Sequence, residues 1–167
     1  MIANEDQKTN LYLQAKNISK NYNGTKVVDK VDIDVKKSEI VGLLGPNGAG
    51  KTTSFDIMVG LLSPSSGQVC LGDKDVTEKP IHVRAKMGIG YLPQSASIFR
   101  KLSVRENLLG VMEVVGTPRG ERKAKLEQLI GSFNLGAVCN SLGVYLSGGE
   151  RRRVEIARAL ISQPNFL

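Results

Sequence analysis

Gly45-Pro46-Asn47-Gly48-Ala49-Gly50-Lys51-Thr52, an instance of GxxxxGK[ST], lies between the continuously apolar run Ile40-Val41-Gly42-Leu43-Leu44 and a helix-patterned stretch, Lys51 to Leu62. An apolar strand, a glycine-rich turn and a helix in that order constrain the fold more than any other feature of the chain. The glycines let the loop wrap so that successive backbone N–H groups point inward. The helix N-terminus adds its partial positive charge, so the turn suits a phosphate. Lys51 would reach β- and γ-phosphates, the Thr52 hydroxyl would ligate Mg²⁺, and Thr53 follows in the same first turn. The competing reading is a glycine turn that binds nothing.

The rest of the sequence fits one compact domain of 167 residues. Hydrophobic residues make up 41% and charged residues 23%, which excludes disordered and collagen-like classes. The longest aliphatic run falls far short of the roughly 18 residues of a membrane span. The start, Met1 to Asp6, is polar and acidic, so a secretory leader is not expected. Cys70 and Cys139 stand without a CxxC pattern, which favours free thiols over a disulfide framework or zinc site. A net charge of +7 suits nucleic acid, anionic lipid or polyphosphate. Aromatics are only 5% and no RNA-binding aromatic motif is visible, so nucleic acid is not the expected partner.

Along the chain, residues 1–10 read as a polar extension and 11–167 as the domain. A strand at Leu11 to Ile18, a turn at Asn23-Gly24, and the alternating run Val31 to Val35 predict a half-exposed antiparallel layer. Ile40 to Leu44 and Gly88 to Leu92 have the unbroken apolar character of strands buried on both faces. Gln68 to Leu71 is a further strand, and Pro80 opens a short helix ending near Met87. Helices are predicted from Ser103 to Val115, with Leu108, Leu109, Met112 and Val115 inward, from Arg119 to Phe133, and from Gly149 to Ile161. Residues 95–146 form a helical subdomain in this reading. The class is α/β.

A second glycine-bearing helix start is Leu146-Ser147-Gly148-Gly149-Glu150. Ser147 is a good N-cap, and the glycines bring bare N–H groups forward to an anion. Val154, Ile156, Ala157 and Leu160 supply the buried stripe of its helix. The run Arg151-Arg152-Arg153 reads either as a solvated face with local salt bridges or as a partner or lipid contact. Tyr22, placed in the loop after the first strand, either packs at an edge or stacks on an adenine. Gln94, after Leu92-Pro93, is either solvated or a ligand to a metal or water.

The order Tyr22, Gly45 to Thr52, Gln94, Leu146 to Glu150 resembles the nucleotide-binding subunits of ABC transporters, with their A-loop, Walker A loop, Q-loop and signature. The segments Gly88 to Gln94, Ala96 to Arg100 and Glu150 to Glu155 look like the lipopolysaccharide-export subgroup, which is similar to this chain in carrying Glu where most members have Gln. The resemblance implies a P-loop NTPase core with an N-terminal antiparallel β layer and a helical subdomain. ATP and Mg²⁺ are the implied cofactors, with Tyr22, Gly45 to Thr53 and Gln94 around ATP, and Thr52 and Gln94 as metal ligands. It also implies a homodimer in which Leu146 to Glu150 of one copy meets ATP held by the other. Transmembrane permease subunits are the other implied partner, with Phe99, Arg100 and Leu102 in a docking groove. Phe99 has simple core packing as its plainer alternative. The implied location is cytoplasmic, peripheral on the inner face of the membrane.

Family members continue past the signature helix into a Walker B Asp, a catalytic Glu and a switch His. This sequence stops at Leu167 before any of them, so the core is expected to be incomplete at the C-terminus and no catalytic residue is assigned. His82 precedes the signature and is not the switch. Residues 1–167 alone are expected to bind ATP weakly or not at all, to leave it unhydrolysed, and to be marginally stable with open strand edges. A non-catalytic nucleotide-binding or interaction module is the alternative. A chromosome-organising ATPase of the same superfamily would carry a long coiled coil between Gln94 and Leu146, for which there is no room.

Overall fold

The computed structural model describes residues 12–167, so the extension assigned to 1–10, and Leu11, lie outside the described residues. The described chain separates into two compact units, one running to Ile89 and including Phe166, the other Gly90–Asn165 with Leu167.

The first unit is built on an antiparallel sheet in the order β2-β1-β3-β4. Its strands are β1 (Tyr12–Tyr22), β2 (Thr25–Lys36), β3 (Ser66–Leu71) and the short β4 (Lys74–Asp75). Asn23-Gly24 forms the β1–β2 turn as expected, and Tyr22 pairs with Thr25 across it. Tyr22 is therefore the last residue of a strand and does not lie in the loop beyond. The period-two pattern of β1 buries Leu13 and Ala15, then breaks, and Ile18 is buried in place of residue 17. A register shift between Ala15 and Ile18 causes this: Asn17 takes φ 49° and gives its N–H to Asp32 Oδ1 at 2.7 Å. One extra residue at a bulge moves every later side chain to the other face.

Helix α1 (Lys51–Val59) buries Ile57, Met58 and Val59 and packs against β1 and β2. It stops three residues short of the expected Leu62, because Gly60 adopts the left-handed C-cap conformation (φ 83°). Helix α2 (Ile81–Lys86) opens after Pro80 as predicted. The two fully buried strands do not form. Ile40 and Leu44 are 98% and 96% exposed, and Gly88 to Leu92 contributes only a parallel bridge from Ile89 to Phe166. A strand apolar on both faces needs a neighbour on each edge, and among the described residues none pairs with 40–44.

The second unit is helical: α3 (Val104–Val114), α4 (Arg119–Ser132) and α5 (Gly148–Leu160), with 3-10 turns at Gly136–Val138 and Gly143–Tyr145. Its core joins Val104, Leu108 and Met112 of α3 with Leu126 and Ile130 of α4 and Val154 and Ala157 of α5. Val115 and Leu160, expected inward, are exposed. Val115 falls just past the end of α3, and in α5 Glu155 occupies buried space instead. The Lys125 ammonium donates to Ile161 O at 2.7 Å, completing the C-terminal end of α5.

Candidate functional site

The GxxxxGK[ST] loop of the first unit ends in a helix start with nothing of its own to cap it. Gly50 is the N-cap of α1 with φ 80°, and no side chain hydrogen-bonds there. A Cβ at Gly50 would run into the Val27 carbonyl oxygen, so glycine is required both for conformation and for room. Gly48 turns the loop with φ 83°. The first turn of α1 holds no acidic residue, and first-turn amides have no partner within a helix. Lys51 folds over the loop, its Nζ donating to Gly45 O at 2.8 Å and Pro46 O at 2.6 Å. Thr52 is exposed and Thr53 half-buried. A concave turn with spare N–H groups, a cation held only by two neutral carbonyls and an exposed hydroxyl forms a donor set that fits a polyphosphate.

Gly50 abuts Val27, two residues beyond Thr25, the register partner of Tyr22, so the strand end carrying Tyr22 and the loop occupy one region of the unit. Tyr22 is 46% exposed. Lys20 Nζ lies 5.5 Å from the ring centroid while donating to Ser63 O.

Sequence reasoning missed Arg84, which ties down the C-terminal end of the helix that the loop opens. The residue is 1% exposed and donates to Ile57 O and Met58 O at the end of α1, and to Thr77 O and Lys79 O. Burial lowers its pKa, opposed by the charges of Asp75 and Glu78. An arginine after Pro80 in a short helix carries no sequence signal of this role.

In the second unit α5 starts at the Leu146 to Glu150 motif. Leu146 is buried, while Ser147, Gly148 and Gly149 are exposed. Ser147 is the N-cap as predicted, but it sits in a complete capping box. Glu150 Oε2 accepts from Ser147 N–H at 2.8 Å and from the Ser147 hydroxyl at 2.7 Å, and Glu150 N–H donates to Ser147 Oγ at 3.3 Å. The Ser147 hydroxyl, then its amide, and the charge of Arg153 hold the Glu150 carboxyl below its ordinary range. The Ser-x-x-Glu spacing was the signal that could have found this box, and the same spacing at Ser103 and Glu106 makes another at the start of α3.

Gln94 is exposed in a bend, with no strand before it. The segment around it is tied to α5: Arg152 donates to Pro93 O at 2.9 Å, Glu155 accepts from Ser97 N–H at 2.8 Å, and Arg158 donates to Ser97 O at 2.6 Å. These arginines therefore hold the loop rather than only facing solvent. A cavity of about 260 Å³ opens here, lined by Tyr91, Leu92, Val111, Glu155 and Arg158 among others. Phe99 is 51% exposed, with the Arg158 guanidinium 4.5 Å from its ring centroid, so simple core packing does not describe it. Arg100 and Leu102 are exposed alongside. The fully buried Asn107 amide shapes the segment, accepting from Phe99 N–H and facing the carbonyls of Phe99, Leu102 and Ser103.

A phosphate-type loop after an antiparallel sheet, with a second glycine-bearing helix start in a helical unit, defines the class of ATP-binding cassettes. Residues 28–167 match the family model described as ABC transporter, and the chain belongs to that family. It is 52% identical over 157 residues to the lipopolysaccharide export system ATP-binding protein LptB of Haemophilus influenzae, covering 93% of this chain and 65% of that protein. It is 49% identical to the LptB protein of Escherichia coli K12, again spanning 65% of its length. Among solved structures, a nucleotide-free ATP-binding cassette from an ABC transporter superposes with TM-score 0.80 at 28% identity, over 92% of this chain and 66% of that one. The ADP conformation of the cassette MJ1267 gives 0.77, also at 28% identity and with the same coverage. The fold is thus the ABC ATPase cassette, as the sequence motifs implied.

Proposed function

We propose that this chain is the nucleotide-binding portion of an ABC transporter ATPase that drives lipopolysaccharide export. The observation that carries the reading is the uncapped start of α1. Gly50 leaves the helix end without an internal anion, and Lys51 is held only by two loop carbonyls from which a phosphate would draw it. In this reading Gly45, Pro46, Asn47, Gly48, Ala49 and Gly50 wrap the phosphates, Lys51 bridges the β- and γ-phosphates, Thr53 adds to the first turn, and Tyr22 stacks on the base. Among the described residues no cluster of three His, Cys, Asp or Glu side chains is poised for a metal. Mg²⁺ would be held by Thr52 in this reading and supply charge neutralisation at the phosphates.

Ser147, Gly148 and Gly149 of a second copy would contact the γ-phosphate, flanked by Leu146 and Glu150. Phe99, Arg100 and Leu102 would meet a permease, beside the cavity next to α5. No helix among the described residues is long and apolar enough to cross a membrane. In this reading the chain is peripheral on the cytoplasmic face. The identities to LptB proteins support lipopolysaccharide as cargo.

Two measurements test this. Calorimetry on the full-length protein is expected to give saturable ATP binding that tightens with Mg²⁺, and no binding would sink the ATPase reading. Permease subunits that co-purify with it should support ATP-dependent lipopolysaccharide release from proteoliposomes. Transport of a different lipid would overturn the cargo while leaving the ATPase intact.

A further inference from the structure

Two helices of the second unit begin with the same device, and only one has a reason to be more than a cap. At α3 the Ser103 hydroxyl donates to Glu106 Oε2 at 2.7 Å, and at α5 the Ser147 hydroxyl donates to Glu150 Oε2 at 2.7 Å. A serine hydroxyl has one hydrogen to give. After Ser103 the first helical residue is the buried Val104, whereas after Ser147 come the exposed Gly148 and Gly149. Neither glycine has positive φ. A Cβ at Gly148 would meet nothing within 4 Å, and one at Gly149 would meet only the tip of Arg153 at 4.0 Å. Packing and backbone conformation therefore give no reason for glycine at two successive helical positions, where it destabilises the helix. Bare backbone kept on an open helix end is what close approach by another molecule requires.

Resting on the reading of 147–149 as γ-phosphate contacts, we propose that Glu150 is an internal competitor for that phosphate, a positioning residue that sets how readily the signature closes on ATP. A phosphate oxygen can accept from the Ser147 hydroxyl only if the hydroxyl leaves Glu150. Glu150 would then retain the Ser147 amide and stay as a carboxylate close to the incoming polyanion, with like-charge repulsion between them. Arg153, the nearby cation, offsets part of that repulsion. The consequence is a contact that forms only when the nucleotide outcompetes the cap, and that reopens readily once the γ-phosphate is lost.

The test is Glu150→Gln in the full-length protein with its permease partners, compared with wild type, Ser147→Ala and Glu106→Gln. A glutamine can still accept from the N-cap amide, so the box survives without the charge. KM for ATP should fall roughly fivefold in Glu150→Gln. That gain should shrink as salt rises toward about 1 M, where the Debye length is about 3 Å. Glu106→Gln, which alters an identical box elsewhere, should leave KM unchanged, and a matching fall there would reduce the effect to helix capping and overturn the proposal. An unchanged or raised KM in Glu150→Gln, together with a raised KM in Ser147→Ala, would also overturn it while leaving the phosphate contact standing. No KM change in either variant would remove the phosphate contact itself.

Discussion

The starts of α1 and α5 are both glycine-bearing, and they are finished in opposite ways. At α1 the N-cap has no side chain, the first turn has no acid, and the next residue is a lysine that adds to the positive end of the helix dipole. At α5 the N-cap is a serine, and a glutamate one turn on closes the box. The first end is electrostatically unfinished and the second complete in itself. Stability missing at the front of α1 is supplied at the back, where Gly60 caps in the left-handed conformation and Arg84 covers the last carbonyls. A helix end that waits for an external anion is affordable when the opposite end is locked.

If that contrast is right, the largest stability effect near α1 lies away from its ligand face. Arg84→Ala removes the guanidinium donors from the carbonyls of Ile57, Met58, Thr77 and Lys79, of which Ile57 O keeps only the Gly60 N–H, and should cost about 3 kcal/mol in urea unfolding of the full-length protein. Arg84→Lys, with fewer and differently placed donors, should recover only part. A cost under about 1 kcal/mol would mean that α1 is not held from its C-terminal end.

Lys51→Ala sharpens the same contrast from the ligand side. Its ammonium is bound only to Gly45 O and Pro46 O, so the fold should lose little. ATP affinity measured by calorimetry should drop about 100-fold, or ~2.7 kcal/mol. Ser147→Ala should do the reverse in a monomer, leaving ATP affinity alone and lowering stability by about 1 kcal/mol through the lost cap. Ser103→Ala at the matching box should cost a similar amount, and a several-fold difference between the two would break the equivalence of the caps.

Which parts of this were legible follows from the range of each interaction. The starts of α2 and α4, the Asn23-Gly24 turn and the N-cap at Ser147 are set by residues a few positions apart, and reading them needed no knowledge of the fold. Strands were legible at the β1–β2 hairpin and at Gln68 to Leu71, which pairs with β1, while Ile40 to Leu44, apolar throughout, has no pairing neighbour among the described residues. Composition shows what a segment needs but not whether it obtains it. The Asn17 bulge escaped because it depends on Asp32 across the sheet, and Arg84, Asn107 and Glu155 escaped because burying a polar side chain requires partners distant in sequence. The loop from Gly45 to Thr52 and the motif from Leu146 to Glu150 were legible as chemistry, but the hydrogen bond from the Ser147 hydroxyl to Glu150 was not read from them.

The smallest effect separates the two helix starts by acid alone. Glu150 and Glu106 have pKa values lowered from the ordinary glutamate value of 4.5, each by hydrogen bonds from its own N-cap serine. A carboxyl depressed by folding stabilises the native state above the unfolded pKa, and that contribution is lost as pH falls through the folded value. The starts of α5 and α3 should therefore loosen together on acidification below 4.5, as the carboxylates that accept from Ser147 and Ser103 are protonated. The start of α1 has no carboxylate to lose; the depressed carboxyl in its unit, Asp75, is bonded to Thr77 instead. In a ¹⁵N titration of the full-length protein from about pH 6 to about pH 3, the amide signals of Ser147 and Ser103 should shift in parallel. Those of Lys51 to Thr53 should stay fixed until global unfolding. Parallel titration at Lys51 would show an anionic group of the protein at the start of α1, and the opposition between a helix end left open and one closed on itself would be lost.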